Sequence, residues 1–195
     1  SSGRQAVALA QRAFQRGAEV TLIAAHLEVP PPAGVTFVSV SSAAEMHSAV
    51  MSLSSNFDIV IMAAAVSDYR MESVSGSKLK KADNGGELHL TLVENPDILK
   101  ELASTKQANQ LIVGFAAETA TDDELIRIGQ DKLARKGCDL LIINQVGWEQ
   151  GFGTERNSVT VLAAGGDILN TATGSKLSVA DTILDCIATS PFQNA

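Results

Sequence analysis

The run Asp58-Ile59-Val60-Ile61-Met62-Ala63 is apolar at every position after the first. A strand with one wet face alternates polar and apolar residues, whereas a strand without polar interruption must be covered on both faces. Related runs recur at 19–24, 110–115 and 139–144, separated by segments with helical apolar spacing. Helices are predicted over 4–16, 42–53, 95–103, 122–136 and 177–187, with Gly17 and Gly137 as stops and Asn95 as an N-cap ahead of Pro96. Strands are predicted over 19–24, 35–40, 58–63, 87–93, 110–115, 139–144 and 158–163, with a short return near Ile168 after Gly165-Gly166. Residues 64–86 read as irregular. The fold class is therefore α/β: a three-layer, Rossmann-like, mostly parallel sheet with helices on both faces.

The whole chain, 1–195, reads as a single domain, since no linker, repeat or low-complexity tract divides its 195 residues. Ser1-Ser2-Gly3 reads as the turn between a first strand and the first helix, so a strand is expected upstream of Ser1. Only 4% of residues are aromatic, which leaves the core to aliphatic side chains and Ala. The net charge is −7, and a nucleic-acid binder would carry a basic face instead. No apolar run reaches the roughly 18 residues of a membrane span. Cys138 and Cys186 are far apart and read as free thiols of a reducing, cytoplasmic setting. His26, His47 and His89 are isolated, so no zinc constellation is visible.

Open α/β sheets bind ligands at the carboxyl ends of their strands, and several unusual residues fall there. Ser1, Ser2 and Gly3 precede a helix whose free N–H groups favour phosphate, though a plain helix start explains them too. Met62, Ala63 and Ala64 are small or flexible enough for close backbone approach. Asp68 offers a carboxylate to a hydroxyl or a metal, or is simply a turn residue. Lys78, Lys80 and Lys81 form a cationic loop that either closes over phosphates or is a solvated run. Pro96, Asp97, Ile98 and Leu99 open a helix, Phe115 stacks on a base or packs in the core, and Lys132 and Lys136 share one helix face. Asn144 ends a strand. Neither G-x-G-x-x-G nor G-x-x-x-x-G-K-[ST] occurs.

Taken together and in order, A-A-A-V-S-D-Y-R, K-L-K-K, N-P-D-I-L, V-G-F-A-A-E-T and K-L-A-R-K-G-C-D-L-L-I-I-N resemble the phosphopantothenate–cysteine ligase family over nearly the whole chain. The opening S-S-G resembles the family's Asn-x-Ser-Ser-Gly loop, whose Asn would stand two residues before Ser1. The resemblance implies an amide-forming enzyme of coenzyme A biosynthesis. A pantothenate carboxylate attacks the α-phosphate of CTP, and the cysteine amine then displaces CMP. It implies Lys78 and Asp68 as catalytic groups, Asp68 as a Mg²⁺ ligand, and nucleotide contacts from Ser1, Gly3, Met62, Ala63, Ala64, Asp68, Lys78, Pro96, Asp97, Ile98, Leu99, Phe115, Lys132, Lys136 and Asn144. It also implies a homodimer, and fusion to or pairing with a flavin-dependent decarboxylase. From the residues alone, an NAD(P)-dependent reductase with a degenerate phosphate loop and a non-catalytic nucleotide-binding module remain alternatives.

Overall fold

The computed structural model describes residues 2–78, 87–120, 122–146 and 156–190. In chain order the elements are α1 (Arg4–Gln15), β1 (Thr21–Ala24), β2 (Thr36–Ser39), α2 (Ala43–Leu53), β3 (Ile59–Met62), β4 (Tyr69–Met71), β5 (Leu92–Glu94), α3 (Ile98–Thr105), β6 (Leu111–Glu118), α4 (Asp122–Lys136), β7 (Leu140–Gln145), β8 (Arg156–Ala163), β9 (Ile168–Ser175) and α5 (Lys176–Ala188). The central sheet has the order β3-β6-β7-β8-β9. Its first three strands are parallel, and β8 and β9 return antiparallel. The sheet is thus mixed rather than mostly parallel. The Gly165-Gly166 turn is tight enough to make a hairpin, so the short return expected near Ile168 is a full edge strand.

Alternation along the central strands sorts their side chains between two cores. On one face, Val113, Ile142, Val159 and Val161 pack with Ala8 and Leu9 of α1 and with Val179, Ala180 and Ile183 of α5. On the other, Ile112, Ala116, Leu141 and Ile143 pack with Met46 of α2, Ile98 and Leu102 of α3 and Leu133 of α4. Ile112, Ile142 and Ile143 are fully buried, each stabilising by about 1.5–3 kcal/mol. The three-layer expectation holds, with α1 and α5 on one side and α2, α3 and α4 on the other. Cys138 and Cys186 are free and buried, and burial pushes the Cys138 thiol up to about 11.

The strand pairing departs from the sequence reading in two places. β1 and β2 form a parallel pair of their own instead of extending the central sheet, although Ile23 and Val38 still pack against the second core. Among the described residues, neither β1 nor β3 has a strand partner on its second edge. The irregular stretch contains β4, which pairs antiparallel with β5 in register Tyr69↔Glu94, and the strand expected at 87–93 shortens to 92–94. Leu79–Gly86, which carries Lys80 and Lys81, and Ser1 lie outside the described residues.

Candidate functional site

The carboxyl edge of the parallel strands is assembled by close packing at Gly114 of β6. Met62 pairs with Gly114 across the sheet. A Cβ at Gly114 would lie 2.6 Å from Leu99 Cδ2 and 3.2 Å from Leu141 Cδ1, so α3 sits directly on β6 only because that position has no side chain. The α3 N-cap is Asp97, whose carboxylate accepts from the Lys100 N–H at 3.2 Å. Asn95, expected as the cap, is used otherwise. Its Nδ2 donates to the Ser67 carbonyl at 2.8 Å, and its Oδ1 accepts from Arg70. The Asn95 N–H also donates to the Asp68 carbonyl at 2.8 Å. The A-A-A-V-S-D-Y-R and N-P-D-I-L segments, separate in sequence, are therefore stitched into one rim running from Asp68 to Asp97.

Two lysines of α4 reach this rim. Lys136 Nζ lies 2.5 Å from Asp97 Oδ2, and Lys132 Nζ contacts Glu118 at the end of β6. The lysines are four residues apart and so share a helix face. Partial burial raises the Asp97 carboxyl, but the hydrogen bonds from Lys136 and from the Lys100 N–H, together with the charges of both lysines, outweigh it and the net shift is downward. Asp97 is therefore anionic near neutral pH. Glu118 is more enclosed, with 16% of its side chain exposed against 40% for Asp97.

The predicted set is not gathered on one face. Phe115 packs into the α1/α5 core, so its ring cannot line a pocket with Pro96–Leu99, and only its backbone remains available there. Asn144 shares that face by alternation with Ile142, and its buried Oδ1 has no hydrogen-bond partner among the described residues. Met62 and Ile98 are core residues, at 8% and 3% exposure, and also offer backbone alone. Ala63 is half-buried, while Ala64, Asp68, Pro96 and Lys78 are exposed. Gly3 has φ 71°, and a Cβ there would meet Leu27 Cδ2 at 2.4 Å. No side chain caps α1 at Gly3, which leaves first-turn N–H groups for an anion.

Sequence reasoning did not find Glu118 as the partner of Lys132, nor a second polar group on the α1/α5 face. There Lys176 Nζ donates to Asn157 Oδ1 at 2.8 Å, Asn157 Nδ2 to Gln5 Oε1 at 2.8 Å, and Gln5 Nε2 to the Lys176 carbonyl at 3.2 Å. Burial, with a smaller contribution from Arg4, lowers the Lys176 pKa. Among the described residues no group of three or more His, Cys, Asp or Glu side chains is placed to hold a metal. Asp68 alone suits only a Mg²⁺ held chiefly by phosphates. A cavity of about 540 Å³ opens at the opposite, amino edge, lined by Leu140, Ala163, Leu169, Asn170 and Cys186.

The model for the C-terminal domain of DNA/pantothenate metabolism flavoproteins matches residues 1–190. The chain belongs to this family. It is 42% identical over 168 residues to the coenzyme A biosynthesis bifunctional protein CoaBC of Vibrio vulnificus, covering 86% of this chain and 41% of that one. It is 41% identical over 196 residues to the CoaBC protein of Mycobacterium tuberculosis, covering 97% and 47%. It thus spans less than half the length of these relatives. Among solved structures, the C-terminal domain of a coenzyme A biosynthesis bifunctional protein CoaBC superposes with TM-score 0.76 at 35% identity, over 96% of this chain and 84% of that one. The DNA/pantothenate metabolism flavoprotein of Streptococcus pneumoniae shares the fold at TM-score 0.76 and 19% identity, over 96% and 88%.

Proposed function

We propose that the chain is the ligase part of a coenzyme A biosynthesis protein, joining 4′-phosphopantothenate to cysteine at the expense of CTP. The family match carries the reaction class. The two lysines that α4 brings to the carboxyl-edge rim support a nucleotide there. In the first step a carboxylate oxygen forms a bond to the α-phosphorus and pyrophosphate leaves. In the second the cysteine nitrogen bonds to the acyl carbon, CMP departs and the amine proton is lost. Both steps crowd anionic oxygens, so the protein's task is positioning and positive charge rather than nucleophilic attack.

In this reading Lys132 and Lys136 meet the nucleotide from α4. Asp68, Asp97 and the backbone of Met62–Ala64 and Pro96–Leu99 form its rim, with Phe115 and Asn144 contributing backbone. Gly3 and Ser1 supply N–H groups to phosphate, and Lys78 approaches the reacting phosphorus from its exposed position. Mg²⁺ would neutralise the triphosphate with Asp68 as its protein ligand. A homodimer would cover Tyr69, Leu90 and Leu92, which are exposed on the β4–β5 arm. A flavin-dependent decarboxylase, fused or paired, would complete the protein in the cytoplasm.

The test is amide formation by the full-length protein from 4′-phosphopantothenate and cysteine, with CTP against ATP. CMP and pyrophosphate should appear with CTP. Absence of both products would reject the reading.

A further inference from the structure

Three carboxylates stand along the carboxyl edge, and they differ in what holds them. Asp68 is exposed. Asp97 is 40% exposed, and the Lys100 N–H donates to it independently of Lys136. Glu118 is only 16% exposed, and among the described residues Lys132 is its sole side-chain partner. The Glu118 backbone cannot follow that lysine. It pairs with Gln145 across β6 and β7, and its carbonyl accepts from the Val146 N–H at 2.8 Å. Lys132 stands on a long flexible stem and is 33% exposed, so its ammonium can move while Glu118 stays. A carboxylate enclosed to this degree is costly to leave without a cation. When Lys132 turns to a phosphate, Glu118 loses its counter-ion beside an incoming anion, and another cation must take the vacant place.

We propose that Glu118 is the subsite for the α-ammonium of cysteine, made available when Lys132 engages the nucleotide. This rests on the reading of Lys132 as a nucleotide contact and of cysteine as the second substrate. Near neutral pH the cysteine amine enters largely as an ammonium, so the reaction itself brings the cation that the vacated carboxylate needs. After one proton passes to water the amine still donates an N–H to Glu118, and its lone pair is free to face the acyl carbon. Before the nucleotide arrives, Lys132 occupies Glu118 and keeps the subsite closed. CTP and cysteine therefore favour each other's binding: CTP draws Lys132 away, and the ammonium restores the lost pairing.

The experiment has two arms, both on the full-length protein. In the first, the wild type is titrated calorimetrically with cysteine, with and without saturating CTP and Mg²⁺, and without 4′-phosphopantothenate so that no amide forms. CTP should tighten cysteine about fivefold or more, the lower end of the usual coupling between sites. It should not tighten mercaptopropionate, which is cysteine without its amino group. In the second arm the acyl-cytidylate is offered cysteine or hydroxylamine, a nucleophile uncharged near neutral pH, in the wild type and in Glu118→Gln. The ratio of kcat/KM for cysteine to that for hydroxylamine should fall about tenfold or more in the variant, the scale of a hydrogen bond to a charged group. A purely structural role would lower both nucleophiles together and leave the ratio unmoved. Cysteine affinity indifferent to CTP, an equal gain for mercaptopropionate, or an unchanged ratio would overturn the proposal while leaving the ligase reading intact. A wild type that releases no pyrophosphate from CTP and 4′-phosphopantothenate would overturn both.

Discussion

The two faces of the carboxyl edge handle positive charge in opposite ways. On the α3/α4 face two lysines of α4 meet carboxylates: Lys132 with Glu118 and Lys136 with Asp97. On the α1/α5 face Lys176 is held by the neutral amide of Asn157, with a second cation, Arg4, close enough to lower its pKa further. Arg4 itself is answered by Glu28 at 3.3 Å. A lysine paired with a carboxylate can exchange that partner for a phosphate at little net change in charge. A lysine fixed by a buried amide serves as an anchor, tying α5 through β8 to α1. Among the described residues, the α3/α4 face of this edge thus presents lysines paired with carboxylates, and the α1/α5 face a lysine held by an amide.

The largest effect that separates the faces is steric. Gly114→Val should destabilise by about 1–3 kcal/mol, or somewhat more, because the new side chain strikes Leu99 and Leu141. Chemical denaturation would show the loss, and CTP affinity should fall with it as α3 is pushed off β6. A Gly114→Val protein with wild-type CTP affinity would mean that α3 does not position the rim.

Next is the anchor. Asn157→Ala removes a residue that is 4% exposed and strands both Gln5 and Lys176. A loss of about 1–2 kcal/mol is expected in denaturant midpoint, typical of a polar network left half-satisfied. CTP affinity should not move.

The smallest effect is on pH dependence, and its sign differs between the faces. Asp97 has a depressed pKa in the folded chain. Its contribution to stability is therefore complete above the ordinary carboxyl range and is lost as pH falls through its folded value. Lys176 is also depressed, but for a cation this is a cost. The cost is fully present below its folded pKa and is relieved as pH rises through that value toward 10.5. Asp97→Asn should flatten the acid limb of a stability–pH curve, and Lys176→Met the alkaline limb. If either substitution flattened the other limb, the two assignments would be exchanged.

Much of this was legible in the chain. Runs such as Asp139–Asn144 disclosed the buried parallel strands because a two-sided core tolerates no alternation. The five helices followed from apolar spacing and from glycine stops such as Gly137. Less legible was anything set by partners distant in sequence. Asn95 looked like a helix cap because its local chemistry suits one, yet Ser67 and Arg70 claim its side chain. Phe115 suited either a stacking ring or the core, and strand parity settles its side chain toward α1 and α5. Glu118 stood within a recognised segment, and only the folding of α4 over β6 gives it Lys132 as a partner. The separation of β1–β2 from the central sheet likewise depends on which edges find a neighbour.

The face that holds the triphosphate decides how the site works. CTP titration of Lys132→Gln and Lys176→Gln in the full-length protein tests this directly. Lys132→Gln should weaken CTP by about tenfold or more, the scale of a charge-assisted contact to phosphate, with Lys176→Gln indistinguishable from wild type. Equal losses in the two variants, or a loss confined to Lys176→Gln, would contradict the account.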